Sequence, residues 1–348
     1  MDLFTCDYTE GCHPAILEAL QHTNLEQTPG YGTDSHCARA AALIREACAA
    51  PESAVHFLAG GTQTNLTVIA ALLRPYQGVL CADSGHINVH ETGAVEATGH
   101  KVLPLPGQQG KITAEQIRAA LRAHQEDASA EHTVQPGMVY LSHPTEYGTL
   151  YTKSELSEIA LVCGQYGLPL FVDGARLGYG LAADGADVTL ADLARLADVF
   201  YIGGTKVGTL FGEAVVFRSA ALCPQFRYLI KQRGGMLAKG RLLGIQFETL
   251  FEHGLYLQLG RHGDETAYQV RDIFRRAGCP LLFDSPTNQQ FPILSAAAYA
   301  KLEHTARGEF WCKVDQQHNA YRFCTSWATT QEAVARLDAA ANTIGALY

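Results

Sequence analysis

The chain has 348 residues, 47% of them apolar, enough for a full hydrophobic core and too many for one small module, so a large and a smaller domain are expected. Against 35 Asp plus Glu stand 26 Lys plus Arg, and the formal charge of -9 offers nucleic acid or an anionic lipid surface no basic footprint. The longest apolar runs, such as Val68 to Leu73, fall far short of the ~20 residues of a membrane span, and Met1-Asp2-Leu3 opens no basic-then-apolar leader, so a cytoplasmic protein acting on small molecules is expected.

In chain order, residues 1–35 carry Gly11, Pro14, Pro29, Gly30 and Gly32, which predicts an arm and one helix rather than a sheet strand. Apolar runs bounded by Gly, Pro or Asp then predict buried strands at Ala54 to Leu58, Gly78 to Ala82, Lys101 to Leu105, Met138 to Ser142, Pro169 to Val172, Asp198 to Ile202 and Ala214 to Phe217. Helical periodicity fills the gaps, notably Thr62 to Leu73, Thr113 to His124 and Lys153 to Tyr166. That alternation specifies an α/β fold with a mainly parallel seven-stranded sheet over residues 36–245. From Gln225 the rhythm changes to a long helical stretch through Leu259, then Gly263 to Ala277, strand candidates around Leu281 and Phe291, and a last helix from Gln331 to Ile344. Residues 246–348 are therefore expected to form a smaller α+β domain. Ten cysteines without a CxxC pair read as reduced thiols, and His86 and His90 at i and i+4 lack a third ligand, so no metal is expected.

Ligands collect beyond the carboxyl ends of strands in an open α/β sheet, so polar residues there come first. After Leu58, Ala59-Gly60-Gly61-Thr62 opens a helix whose free amides suit a phosphate, though a plain glycine turn would look the same. After Val172 stands Asp173, with Arg176 three residues on; a helix cap with a local ion pair is the plainer reading. A rival takes Gly178 to Ala183 as a dinucleotide fingerprint with Asp198 as its ribose acid, but Asp173, Ala175 and Arg176 occupy the turn that such a fingerprint needs. After Ile202, Gly203-Gly204-Thr205-Lys206 sets one of only eight lysines among apolar and glycine neighbours, where burial would lower its pKa and make the amine nucleophilic. After Ala82, His86 brings an imidazole to the same edge. Together, an anion-binding helix start, a strand-end Asp and a buried-type Lys are the parts that hold pyridoxal 5'-phosphate.

These residues resemble the threonine aldolase branch of the fold-type-I pyridoxal phosphate enzymes, also named the aromatic amino acid β-eliminating lyase and threonine aldolase family. The matching pieces are Cys6-Asp7-Tyr8, Tyr31-Gly32-Thr33-Asp34, Gly60-Gly61-Thr62, Ser84-Gly85-His86, Asp173-Gly174-Ala175-Arg176, Thr205-Lys206 and Tyr321-Arg322-Phe323. The resemblance implies that Lys206 carries the cofactor as a Schiff base, that Asp173 pairs with its ring nitrogen, that Gly61 and Thr62 bind its phosphate, that His86 stacks on the ring, and that Thr205 and Arg176 are also among the cofactor-binding residues. Arg176 and Arg322 would clamp the substrate carboxylate, with Cys6 and Tyr31 counted among the substrate-binding residues. Lys239 and Arg241 would reach a partner subunit's phosphate, implying at least a homodimer, with a homotetramer expected. Retro-aldol cleavage of a β-hydroxy-α-amino acid to glycine and an aldehyde is the activity implied, with His86 as base for the β-hydroxyl and Glu146 or a bound water as the alternatives. β-Elimination or transamination on the same cofactor is the runner-up, and a non-catalytic nucleotide-binding protein built on the Gly178 pattern is the rival from another class. Where threonine aldolases usually carry Asn-Thr-His, this chain reads Pro144-Thr145-Glu146-Tyr147-Gly148, a Thr-Glu-x-Gly variant more similar to phenylserine aldolase, so a bulkier or aromatic β-substituent is expected.

Overall fold

Seven strands form the central sheet of a computed structural model that describes residues 1–344: β1 (Ala54–Leu58), β2 (Gln77–Ala82), β3 (Lys101–Leu105), β4 (Gln135–Ser142), β5 (Leu170–Asp173), β6 (Val199–Gly203) and β7 (Glu213–Phe217). Their order across the sheet is β1-β7-β6-β5-β4-β2-β3. Only β7 runs antiparallel to its neighbours; the remaining pairs are parallel, which matches the fold class expected. Side chains alternate between two buried faces, as a strand's two-residue period requires. Met138, Tyr140, Val199 and Tyr201 pack on one side, and Val139, Leu141, Phe200 and Ile202 on the other.

The crossover helices begin where local chemistry satisfies their first amides. Thr113 with Gln116, and Thr152 with Glu155, form reciprocal capping boxes at the starts of helices Ala114–Glu126 and Lys153–Tyr166. Helix Gly61–Leu72 differs, because Gly60 at its cap has no side chain to accept those amides.

The helical region after Gln225 departs from expectation. It is broken between Phe226–Gln232 and Arg241–Phe251, and again near His253 and Gly254, both with left-handed backbone (φ 64° and 69°). The interruption expected between Leu259 and Gly263 is absent, since one helix runs Leu255–Arg276. Its glycines are packing residues rather than breakers. A Cβ on Gly260 would lie 2.2 Å from the Gly178 carbonyl oxygen, and one on Gly263 would lie 2.4 Å from the Tyr179 ring. Only hydrogens allow the helix to cross the Leu177–Ala182 helix that closely.

A second sheet is built on His318–Cys324, which pairs antiparallel with Ile293–Ser295, Glu309–Lys313 and Gln289–Gln290. The strand expected at Leu281 is a single bridge to Pro292, and Phe291 falls between two short strands. The N-terminal arm does contribute a strand: Asp2–Leu3 pairs in parallel with Ala306–Arg307. Phe4, Val270, Phe274, Leu294, Phe323 and Leu337 form the core under this sheet. The last helix is Gln331–Ala341, ending short of Ile344. All ten cysteines are free thiols, and no helix among the described residues is long and apolar enough to cross a membrane.

Candidate active site

The carboxyl ends of β4, β5 and β6 bring the strongest chemistry together. Asp173 ends β5 in register with Ser142 of β4 and is buried. Its Oδ2 accepts from Asn65 Nδ2 at 2.9 Å and the Tyr140 hydroxyl at 2.5 Å, and its Oδ1 from the Tyr201 hydroxyl at 2.6 Å and the Ala175 amide at 2.9 Å. Burial alone would raise its pKa, but His86, the two hydroxyls and that amide hold the carboxyl below the usual carboxylate range. Gly174 then lets the chain turn, since a Cβ there would lie 2.0 Å from the Tyr201 carbonyl oxygen. The residue after that turn is Ala175, followed by Arg176.

Lys206 follows β6 on a loop secured from both sides. The Tyr179 hydroxyl donates to the Lys206 carbonyl at 2.6 Å, and Gly204 N and Thr205 Oγ1 donate to the buried Glu213 carboxyl at 3.2 and 2.8 Å. Burial and then Arg176 lower the Lys206 pKa, against the pull of Asp7, Asp173 and Glu213, so the amine loses its proton more readily than an ordinary lysine. Nζ stands 5.9 Å over the Tyr8 ring. Burial pushes the Glu213 carboxyl up to about 8.

Lys206, His86, Glu146, Arg176 and Arg322 line one cavity of about 440 Å³, together with Tyr8, His90, Glu309, Phe310 and Trp311. Arg176 is gripped bidentately by buried Asp7, with Nε–Oδ2 at 2.7 Å and Nη2–Oδ1 at 3.0 Å. Despite burial, Arg176 and Lys206 hold Asp7 down at about 2. Arg322 Nη2 donates to the Thr5 carbonyl at 3.2 Å and contacts Glu309, and its guanidinium lies 5.4 Å over the Trp311 ring. Glu146 Oε1 accepts from the His86 amide at 2.9 Å and Ser142 Oγ at 2.6 Å, while Oε2 has no partner; burial raises this carboxyl. His86 Nδ1 meets Glu91 Oε1 at 2.9 Å.

Other residues singled out in the sequence do not line this cavity. Thr205 spends its hydroxyl on Glu213 and the Gly212 amide. Gly61 and Thr62 open the uncapped helix beyond β1. Cys6 lies in the arm between Thr5 and Asp7. Tyr31 lines a separate cavity of about 230 Å³ with Asp34, His56 and Arg227. Lys239 is exposed, and Arg241 donates to the Glu26 and Thr23 carbonyls. His143, the residue just before the Pro144 to Gly148 segment, is buried, with both ring nitrogens unpartnered and its pKa lowered to about 4 by burial. Sequence reasoning assigned no role to Asp7, Tyr8, Glu309, Phe310 or Trp311. Of these, Asp7 and Tyr8 carried a signal, in the Cys6-Asp7-Tyr8 motif.

A family model described as beta-eliminating lyase matches residues 2–326. A low specificity L-threonine aldolase of Pseudomonas aeruginosa is 31% identical over 338 residues, covering 96% of this chain and 95% of that protein. A solved structure of a threonine aldolase from Leishmania major superposes with a TM-score of 0.96 at 44% identity, over 99% of this chain and 100% of that one. An aspartate aminotransferase from Thermus thermophilus, at 12% identity, shares the fold alone, with a TM-score of 0.73 over 98% of this chain and 91% of that one.

Proposed function

This chain belongs to the beta-eliminating lyase family and has the fold-type-I architecture of pyridoxal 5'-phosphate-dependent lyases, and on that premise we propose that it cleaves β-hydroxy-α-amino acids to glycine and an aldehyde. The observation that carries the reading is the meeting of Lys206, His86 and two guanidiniums at one cavity, beside a buried Asp173 held anionic. The donor set fits the cofactor: an amine with a lowered pKa for its aldehyde, an anionic carboxylate for its ring nitrogen, and the uncapped amides of the Gly61–Leu72 helix for its phosphate. Lys206, Asp173, Gly61 and Thr62 would hold it, with His86 against its ring.

When bound, the cofactor supplies an electron sink for the pair left at Cα as the Cα–Cβ bond breaks. Everything else falls to the chain. Arg322, and Arg176 held rigid by Asp7, fix the substrate carboxylate and with it the bond that lies in the reactive orientation. His86 accepts the β-hydroxyl proton, the aldehyde oxygen forms, and Glu146 holds the His86 backbone in place.

The aldehyde side supports an aryl preference. A second cavity of about 380 Å³ shares His90, Glu146 and Trp311 with the first and adds Asp83, Ser84, Val89 and Tyr147. Tyr147 stacks on Phe283 at 4.3 Å and stands edge-on to Trp311 at 5.9 Å, so an aromatic wall is already braced. Burial of apolar surface contributes roughly 25 cal/mol per Å², so partial burial of a phenyl group over a methyl is worth tenfold or more in kcat/KM. The exposure of Lys239 supports a role toward a second subunit's phosphate, and light scattering should give a dimer or tetramer. The deciding experiment is kcat/KM for each diastereomer of phenylserine, threonine and allo-threonine, with glycine and aldehyde quantified. Phenylserine is expected to lead. Threonine leading would end the aryl preference, and keto acid or ammonia in place of glycine would end the aldolase reading.

A further inference from the structure

We propose that Glu91 is a positioning residue that fixes the tautomer and orientation of His86. The inference rests on the reading of His86 as acceptor of the β-hydroxyl proton. Glu91 lies just beyond the one-turn helix His86–Val89, and its side chain is fully buried, whereas that of His86 is one-third exposed toward the cavity. Glu91 Oε1 takes two nitrogens, His86 Nδ1 at 2.9 Å and Asn65 Nδ2 at 2.8 Å. Asn65 uses the same Nδ2 to donate to Asp173 Oδ2 at 2.9 Å, so one amide spans both buried carboxyls.

The geometry determines where the imidazole proton sits. An oxygen already accepting from Asn65 offers His86 Nδ1 an acceptor and no proton, so Nδ1 carries the hydrogen and Nε2 keeps its lone pair. A base needs that free pair on the side of the ring open to substrate. As His86 gains the hydroxyl proton at Nε2, the carboxyl behind Nδ1 stabilises the cation that forms, and Asn65 keeps Glu91 from turning toward Asp173. Two further observations favour a working over a merely structural role. Glu91 Oε2 and Asn65 Oδ1 are buried without partners, which a group kept for stability would avoid. The His90 ring, 5.6 Å from that of His86, makes no hydrogen bond to it and offers no alternative anchor.

The test is a double-mutant cycle with Glu91→Gln and His86→Asn on cofactor-loaded enzyme, joined to ¹⁵N spectra of histidine-labelled protein. Glu91→Gln is expected to lower kcat at least about tenfold, a part of the about 10²- to 10⁴-fold that the positioned acid–base group itself contributes, with KM and bound cofactor little changed. In the His86→Asn background, Glu91→Gln is expected to cost nothing more. The His86 resonance should report Nδ1–H in the native enzyme and lose that form in Glu91→Ala. Multiplying losses in the double variant, or an unchanged tautomer in Glu91→Ala, would overturn the proposal. If Glu91→Ala does not fold, the cycle decides alone. Native turnover by His86→Asn would instead sink the reading of His86 as base, and the tautomer spectra would still judge Glu91.

Discussion

Replacing Asp173 with Asn separates what this residue does for the fold from what it does for the chemistry. The native carboxylate accepts from Asn65 and Tyr140 on one oxygen and from Tyr201 and Ala175 on the other. An asparagine puts an NH₂ where one oxygen stood. The tyrosine hydroxyls can rotate and accept from it. The Ala175 amide cannot, and Asn65 could do so only by turning its oxygen on Glu91. One fixed N–H is therefore left facing another, at about 1–3 kcal/mol. With Tm moving by about 2–4 °C per kcal/mol in chains of 150–250 residues, and less in a longer one, the melting temperature should fall by only a few degrees. The electrostatic loss is expected to be larger, because the role proposed for Asp173 is the charge opposite the cofactor's ring nitrogen, and removal of a comparable preorganised group costs about 10²–10³ in kcat. Differential scanning fluorimetry and glycine release at saturating cofactor read the two effects separately. Native kcat with native cofactor affinity in Asp173→Asn would refute the reasoning.

Borohydride reduction of the cofactor-loaded enzyme followed by peptide mapping is expected to label Lys206, and a label on any other lysine would displace it from the role. Asp264, whose carboxyl burial and then Asp184 push up to about 9, stays protonated in the folded chain while the unfolded chain ionises near the ordinary value. It should therefore stabilise fully below about pH 4 and lose that contribution, by up to ~1.4 kcal/mol per pH unit, as pH rises toward 9. Asp264→Asn should flatten this slope and raise Tm most at alkaline pH, and an unchanged Tm–pH curve would contradict it. Gly263→Ala puts a methyl 2.4 Å from the Tyr179 ring and should destabilise by about 1–3 kcal/mol, read as a lower urea midpoint, because overpacking forces ring and helix apart.

The central sheet was legible because its strands are continuous apolar runs, the pattern demanded by burial on both faces. Asp173 and Lys206 stood out for the same reason, as polar residues at the ends of such runs. The second sheet was harder. Glu309–Lys313 buries none of its residues fully and has no clean alternation, so the cavity wall made by Glu309, Phe310 and Trp311 left no periodic trace. The bidentate hold of Asp7 on Arg176 spans 169 residues of sequence, a distance no local pattern encodes. The helix divided in the sequence between Leu259 and Gly263 is continuous, because the partner that requires Gly260 and Gly263 lies in another helix, which no local pattern shows.

Gly263 also joins elements that would otherwise be free to shift. The Tyr179 ring packed on it sends its hydroxyl to the Lys206 carbonyl, and the Thr325 hydroxyl, just past the strand that carries Arg322, donates to the Gly263 carbonyl at 2.6 Å. One turn of the long helix is thus a strut fastened to the lysine loop on one side and to the second sheet on the other. A jaw-like swing of that sheet toward the central one would have to break one fastening or the other. Selectivity is therefore expected to respond to changes at the rim, where exposed Glu309 and Phe310 stand beside Trp311, more readily than to any change in a hinge.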